Sequence, residues 1–416
     1  MTAHDAAHLE ESTEPPKPLL ELSEGLPPVI DTAAGLGRAV DALAAGSGPV
    51  AIDAERASGY RYSQRAYLIQ LRREGSGTWL IDPTGFPDLL GVQEALGDAE
   101  WILHAATQDL VCLREVGLRP HRLFDTELAG RLLNHPRVGL ASLVETELGQ
   151  TMRKEHSAAD WSTRPLPSPW LEYAALDVEP LVQLRSLMHA ELIQADKLEW
   201  ARQEFDHLLG FEPAVRLDAW RRTSGVHKLR GRRPVAAAKL LWEARDRIAR
   251  ERDVTPGRII PDGAIVAAAA AMPSDRRGLL RTPGFHGRGA ERYSTDWLEA
   301  LATARTMAEE DLPGKPARGD GPPHPRTWAE RHPEADRRFK ASREAMLTLA
   351  EAHDLPVENL LTPDYVRRLA WEPPSTREPA VLAAQVREQL RGYGARAWQL
   401  DLVSGALTGA ILLADG

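Results

Sequence analysis

GPVAIDAERA, residues 48–57, decides how this chain reads. Gly48 and Pro49 are turn formers. Val50, Ala51 and Ile52 behind them make an apolar run expected to be a buried strand. Side chains at i and i+2 share one face of a strand. Asp53 and Glu55 therefore stand side by side where apolar partners are expected. Such a pair needs a reason, and the rest of the chain has to supply it.

Outward from this strand, residues 28–150 alternate short apolar runs with helical periods. AYLIQLR (66–72) and GTWLID (77–82) read as two further strands, and EWILHA (100–105) as a fourth. FPDLLGVQEALGD (86–98), TQDLVCLREVG (107–117), FDTELAGRLLN (124–134) and GLASLVETELG (139–149) read as helices. The expected class is α/β, a mixed sheet with helices packed on it. From about residue 169 the pattern is helical. Pro180 interrupts the run SPWLEYAALDVEPLVQLRSLMHAEL (168–192), and it is expected to kink a helix because its ring clashes with the preceding turn.

The chain has 416 residues, 43% hydrophobic and 27% charged, which suits several globular cores. We find no apolar run near the roughly 20 residues of a membrane span. No basic-then-apolar leader opens the sequence, so a cytoplasmic location is expected. Cys112 is the only cysteine, which rules out an intrachain disulfide and a cysteine-based zinc cluster. Walker A, G-x-S-x-G and H-E-x-x-H patterns are absent, so ATPase, serine hydrolase and zincin chemistry lack support.

Charge is uneven along the chain. The net value is −9. Residues 1–27 hold six acids against Lys17 and read as a disordered acidic tail. Residues 214–263 hold thirteen Lys/Arg against six Asp/Glu. DLPGKPARGDGPPHPRTWAERHP (311–333) has no period and reads as linker. EARDRIARERDVTPGRIIPD (243–262) and ASREAMLTLAEAHDLPVENLLTPD (341–364) share a plan: a charged helix, a proline turn, an aliphatic pair, then Pro-Asp. We read them as a duplicated helical module.

Two more places make the acidic pair chemical. LHAATQDL (103–110) puts Asp109 on the first turn after a strand, and YAALD (173–177) puts Tyr173 and Asp177 on one helix face. Singly, Asp109 is a helix N-terminal acid and Tyr173 with Asp177 a surface pair. If the four carboxylates converge, their repulsion is large: two like charges 4 Å apart cost roughly 4 kcal/mol at an effective dielectric of about 20. Protonation or bound cations must relieve it. Hard divalent ions with oxygen ligands are the natural choice, and two of them can clamp both oxygens of a phosphodiester displacement.

The order D-x-E, strand–helix Asp, Y-x-x-x-D resembles the DEDD 3′→5′ exonucleases of the tyrosine subclass, and more closely ribonuclease D. AIDAE, YSQRAYLIQL (62–71), LIDP (80–83), LHAATQDL, FDTELAGRLL (124–133), KEHSAADWSTRPL (154–166) and EYAALDVEPL (172–181) look like that family's blocks in its order. ARERDVTPGRIIPD (249–262) and AEAHDLPVENLLTPD (350–364) resemble HRDC modules. The resemblance implies a ribonuclease H-like mixed-sheet exonuclease domain over 28–210 and two all-α HRDC-like domains. These would span 214–302 and 334–416, joined by a linker over 303–333. It implies two divalent ions, Mg²⁺ or Mn²⁺. Asp53 would bridge both, Glu55 and Asp177 would complete one site, Asp109 would hold the other, and Tyr173 would orient the attacking water. The implied activity is removal of 5′-mononucleotides from RNA 3′ ends, in tRNA or small structured RNA processing. A monomer is expected from the long linker and modular plan, and no membrane contact from the lack of a long apolar run.

Six further residues are candidate RNA contacts: Arg221, Arg222, Lys228, Arg230, Arg232 and Arg233, all within RRTSGVHKLRGRRP (221–234). His104 and Lys154 are candidate substrate contacts, with a packed strand-end histidine and an exposed lysine as their plain readings. Two alternatives remain open on the sequence. One is a DNA exonuclease on the same scaffold. The other is a non-catalytic RNA-binding protein.

Overall fold

A computed structural model describes residues 17–153, 156, 158–215, 217–314 and 321–416. Six strands form one sheet: β1 (Val29–Ile30), β2 (Ser47–Arg56), β3 (Ala66–Glu74), β4 (Gly77–Ile81), β5 (Glu100–Leu103) and β6 (Arg122–Asp125). Their order is β1-β4-β3-β2-β5-β6. β2, β3 and β4 run antiparallel as neighbours, while β2–β5, β5–β6 and β1–β4 are parallel. The expected mixed sheet is thus present, and β2 lies at its centre. Val50, Ala51 and Ile52 are fully buried, so the strand's register is fixed by what it packs against.

Helices α1 (Ala33–Ala45), α2 (Leu90–Leu96), α3 (Leu110–Glu115), α4 (Thr126–Leu132), α5 (Leu140–Glu147), α6 (Ser168–Val178), α7 (Leu181–Gln194) and α8 (Leu198–Leu209) complete this domain. Several expectations need correction. Residues 122–125 are a strand, not part of a helix over 124–134. Asp125 caps α4 instead, accepting from the N–H groups of Glu127 and Leu128 at 2.9 and 3.2 Å. Pro180 does more than kink: α6 ends at Val178 and α7 starts at Leu181, so the proline separates two helices. The expectation of a disordered tail over 1–27 also needs correction at residues 17–27. Residues 1–16 lie outside the described residues. By contrast, Leu20 is buried and its N–H donates to the Thr151 carbonyl, and Ser23 Oγ donates to Glu179 at 2.7 Å.

The first helical unit comprises α9 (Arg232–Arg252), α10 (Pro256–Ile259), α11 (Asp262–Ala271), α12 (Arg276–Leu280), α13 (Arg288–Arg292) and α14 (Ser294–Thr306). It has its own core around Leu241, Ile265, Phe285, Trp297 and Leu301. It grips the loop after β2. Ser63 N–H donates to Asp253 at 2.8 Å, Tyr62 OH to Asp246 at 3.0 Å, and Thr255 N–H to the Tyr60 carbonyl at 3.0 Å.

The second unit comprises α15 (Trp328–Arg331), α16 (Pro333–Ala352), α17 (Val357–Leu360), α18 (Pro363–Trp371), α19 (Pro379–Tyr393) and α20 (Ala397–Asp415). It shares one continuous core with the sheet domain. Trp398 stacks on Trp200 of α8 at 4.9 Å, and its Nε1–H donates to Glu204 at 2.9 Å. Residues 325–331, expected in the linker, form helical turns that bury Trp328 against Phe339 and Trp371. By length and composition α20 can cross a membrane, which corrects the expectation that no such run exists. Here Val403, Leu407 and Ile411 of α20 are fully buried in the protein core.

Candidate active site

Asp53 and Glu55 point from β2 into a cavity of about 480 Å³. α6 packs across β2, β3 and β4 and brings Tyr173 and Asp177 to the same cavity. Carboxylate oxygens of Asp53, Glu55 and Asp177 all lie within 4.8 Å of one another. Asp109 lines the cavity from the start of α3, and Arg56 approaches it at 3.8 Å. The five candidate catalytic residues are therefore together.

The electrostatics follow from that crowding. Burial pushes the Asp53 carboxyl up to about 6, against the pull of the Ala54 N–H and Arg56. Burial, then the charges of Asp53, Asp177 and Asp109, holds Glu55 well above the usual carboxylate range. Asp109 and Asp177 are raised in the same way, by burial first and Asp53 second. The Tyr173 phenol is hydrogen-bonded to Asp177 and raised by burial and the neighbouring carboxylates, so it stays protonated at neutral pH. An all-oxygen set with this much unbalanced repulsion fits hard divalent cations, and nothing in the donor set favours a softer ion.

Asp109 owes its position to a residue that the sequence reading passed over. Asp125 is buried at the end of β6 and accepts from the backbone N–H groups of Ala105 and Ala106 at 3.1 and 2.8 Å. These bonds hold the turn after β5, where Ala105 adopts φ 59°. The sequence signal was the N-cap pattern Asp-Thr-Glu. Arg56, next to Glu55, was also not singled out as a site residue.

The other candidates divide. His104 lines the cavity, and its Nδ1 lies 2.9 Å from Thr126 Oγ1. Burial lowers it to about 4, so it is neutral. Lys154 lies outside the described residues. None of the six basic candidates lines the cavity. Arg233 Nη1 donates to the carbonyls of Ala304, Arg305 and Met307, each at 2.9 Å, and so caps the end of α14. Arg221 pairs with Asp218 at 2.9 Å and covers Trp220, while Arg232 donates to the Leu312 carbonyl. Arg222, Lys228 and Arg230 are exposed.

Residues 27–193 match the 3′-5′ exonuclease family model, residues 235–301 the HRDC domain, and residues 321–411 the 3′ to 5′ exonuclease C-terminal domain. Ribonuclease D of Gluconacetobacter diazotrophicus is 30% identical over 336 residues, covering 78% of this chain and 81% of that protein. The crystal structure of a Bifidobacterium adolescentis protein superposes with a TM-score of 0.88 at 37% identity, covering 95% of this chain and 100% of that one. Escherichia coli RNase D, described as an exoribonuclease involved in structured RNA processing, superposes with a TM-score of 0.64 at 26% identity. That match covers 88% of this chain and 99% of the other. A relative of this identity, aligned over four-fifths of its length, together with the matched exonuclease and HRDC models, leads to one conclusion: this chain belongs to the ribonuclease D family.

Proposed function

We propose that this 3′→5′ exoribonuclease hydrolyses RNA one nucleotide at a time at the acidic cavity, releasing 5′-mononucleotides from 3′ ends. The observation that carries the site is the convergence of three carboxylates within 4.8 Å beside Asp109 and a protonated tyrosine. Asp53, Glu55, Asp109 and Asp177 would hold a pair of divalent ions, Mg²⁺ or Mn²⁺. When bound, such ions supply positive charge to the attacking and leaving oxygens of the phosphodiester.

The chain's own groups do the rest. Tyr173 keeps its proton, which it gives to Asp177 in this structure, and can turn it to the attacking water or the scissile phosphate once Asp177 holds a cation instead. Arg56 places a cation at the cavity wall beside Asp109, where negative charge grows in the transition state. Leu140 and Leu181 also line the cavity and keep water from part of its wall. A neighbouring hollow shares Tyr173 and Asp177 and adds Met152, Arg153, His156 and Trp170, whose indole offers a stacking face suited to a nucleobase.

The helical units would hold the RNA body. Both follow one plan: a long helix, a one-turn helix behind Pro256 or Pro356, then a helix opened by Pro261-Asp262 or Pro363-Asp364. We read the second as HRDC-like on that ground. Arg222, Lys228 and Arg230 are the basic residues left free for phosphates. tRNA precursors or other small structured RNAs are the proposed substrates, met by a cytoplasmic monomer.

With Mg²⁺ or Mn²⁺, a 5′-labelled single-stranded RNA is expected to shorten in one-nucleotide steps. A 3′-labelled strand should release its label at once as a mononucleotide, and EDTA should stop both. Internal fragments at early times would overturn the reading, and faster hydrolysis of matched DNA would move the substrate to DNA. Tyr173→Phe is expected to lower kcat about 10²-fold, the scale of one lost transition-state donor, with KM nearly unchanged. A Phe variant with full kcat would remove Tyr173 from the chemistry.

A further inference from the structure

A second cluster of ligand-type side chains sits away from the acidic cavity, and the proposed function makes no use of it. His135 follows α4, Glu147 is the last residue of α5, and Glu191 lies in the last turn of α7. One ligand atom from each lies within 4.8 Å of the others. His135 Nε2 is 3.5 Å from Glu147 Oε1 and 3.6 Å from Glu191 Oε2. The histidine and Glu147 side chains are only 15% and 8% exposed, so this is not a solvated surface group of charges.

We propose that His135, Glu147 and Glu191 form a second divalent-cation site, structural in role, suited to a transition ion such as Zn²⁺. Two observations carry it. His135 Nε2 is buried, faces both carboxylates, and makes no hydrogen bond. A buried ring nitrogen without a partner is costly. The spacing also fits: ligand atoms bound at about 2.0–2.1 Å in a tetrahedron lie roughly 3.4 Å apart. One imidazole and two carboxylates are a borderline donor set that selects a transition ion over Mg²⁺. With a neutral histidine, a dication and two carboxylates balance to zero charge. Without the ion, the carboxylates must share a proton, and burial and Glu191 do push Glu147 up to about 7.

The consequence is mechanical. The site ties the far ends of α5 and α7, whose first residues, Leu140 and Leu181, wall the acidic cavity. The ion would fix the width of that wall without touching substrate.

The test separates this site from the acidic cavity by using full-length Asp53→Asn/Asp177→Asn protein. Equilibrium dialysis against Zn²⁺ is expected to leave one ion per chain, and Zn²⁺ should raise Tm. Adding His135→Gln or Glu191→Gln should weaken binding at least about tenfold and abolish the Tm rise. Co²⁺ in the same background should give the visible absorption of a four-coordinate site, lost in both variants. Glu191 is the most exposed of the three at 37%, so its substitution carries the test if His135→Gln fails to fold. If no ion is retained, or retention is equal with and without these residues, the cluster is a proton-sharing clamp and the proposal falls.

Discussion

Asp53→Asn is expected to lower RNA hydrolysis by about 10³- to 10⁴-fold while leaving the fold intact. The magnitude follows from what the carboxylate holds. Charge stabilisation by bound ions contributes several kcal/mol to a phosphoryl transition state, and each 1.36 kcal/mol is tenfold in rate. Asp53 lies on the central strand, within 4.8 Å of both Glu55 and Asp177, so its loss breaks the three-carboxylate set. The substitution is nearly isosteric, and Val50, Ala51 and Ile52 keep β2 in place. Removing one of several crowded charges should in fact raise Tm in EDTA. Single-turnover rates with saturating Mg²⁺, together with a melting curve, check both halves. A folded variant that retains more than a tenth of wild-type rate would show that the acid cluster is not the catalytic centre.

The first two acids were legible because they break a local rule, and the others by their order along the chain. Asp53 and Glu55 interrupt an apolar strand, and Tyr173 and Asp177 share a helix face. Such conflicts between pattern and residue type are expected at functional sites. What the sequence hid was hidden by length and context. β6 has four residues and runs straight into α4, so helical periodicity absorbed it, and with it the role of Asp125. β1 has two residues and exists only through its pairing with β4. Trp328 sits in a Pro/Gly-rich stretch that looks like linker, yet it is fully buried by tertiary contacts. The basic run misled in the other direction. Arg233 reads as a phosphate contact in one dimension and is a helix cap in three. The sequence reading passed over α20 as a possible membrane span, although it is long and apolar enough for one; in the fold it packs against α16 and α19. Hydropathy reports that a surface must be covered, not what covers it.

Removing divalent ions should destabilise the protein increasingly as pH rises, and Mg²⁺ should reverse this. The sign follows from the direction of the carboxylate shifts. Asp53 has an ordinary value of 3.8 and is pushed up to about 6 in the fold, and Glu55, Asp109 and Asp177 are raised as well. Between these values the native state holds more protons than the unfolded chain. Stability of the metal-free protein therefore falls as pH climbs through that window. For Asp53 alone the loss is of order 3 kcal/mol by pH 7. Mg²⁺ needs the deprotonated carboxylates, so its stabilisation should be small at pH 5 and several degrees of Tm at pH 8. Mg²⁺ is the right probe because its preference for oxygen ligands keeps it off the His135 cluster. Calorimetric scans in EDTA and in Mg²⁺ across pH 5–8, for wild type and Asp53→Asn, make the comparison. The variant should lose most of the pH-dependent gap between the two conditions. An equal Mg²⁺ effect at pH 5 and pH 8 in wild type would mean that the acids are not crowded in solution, and the electrostatic case for ion binding at the cavity would collapse with it.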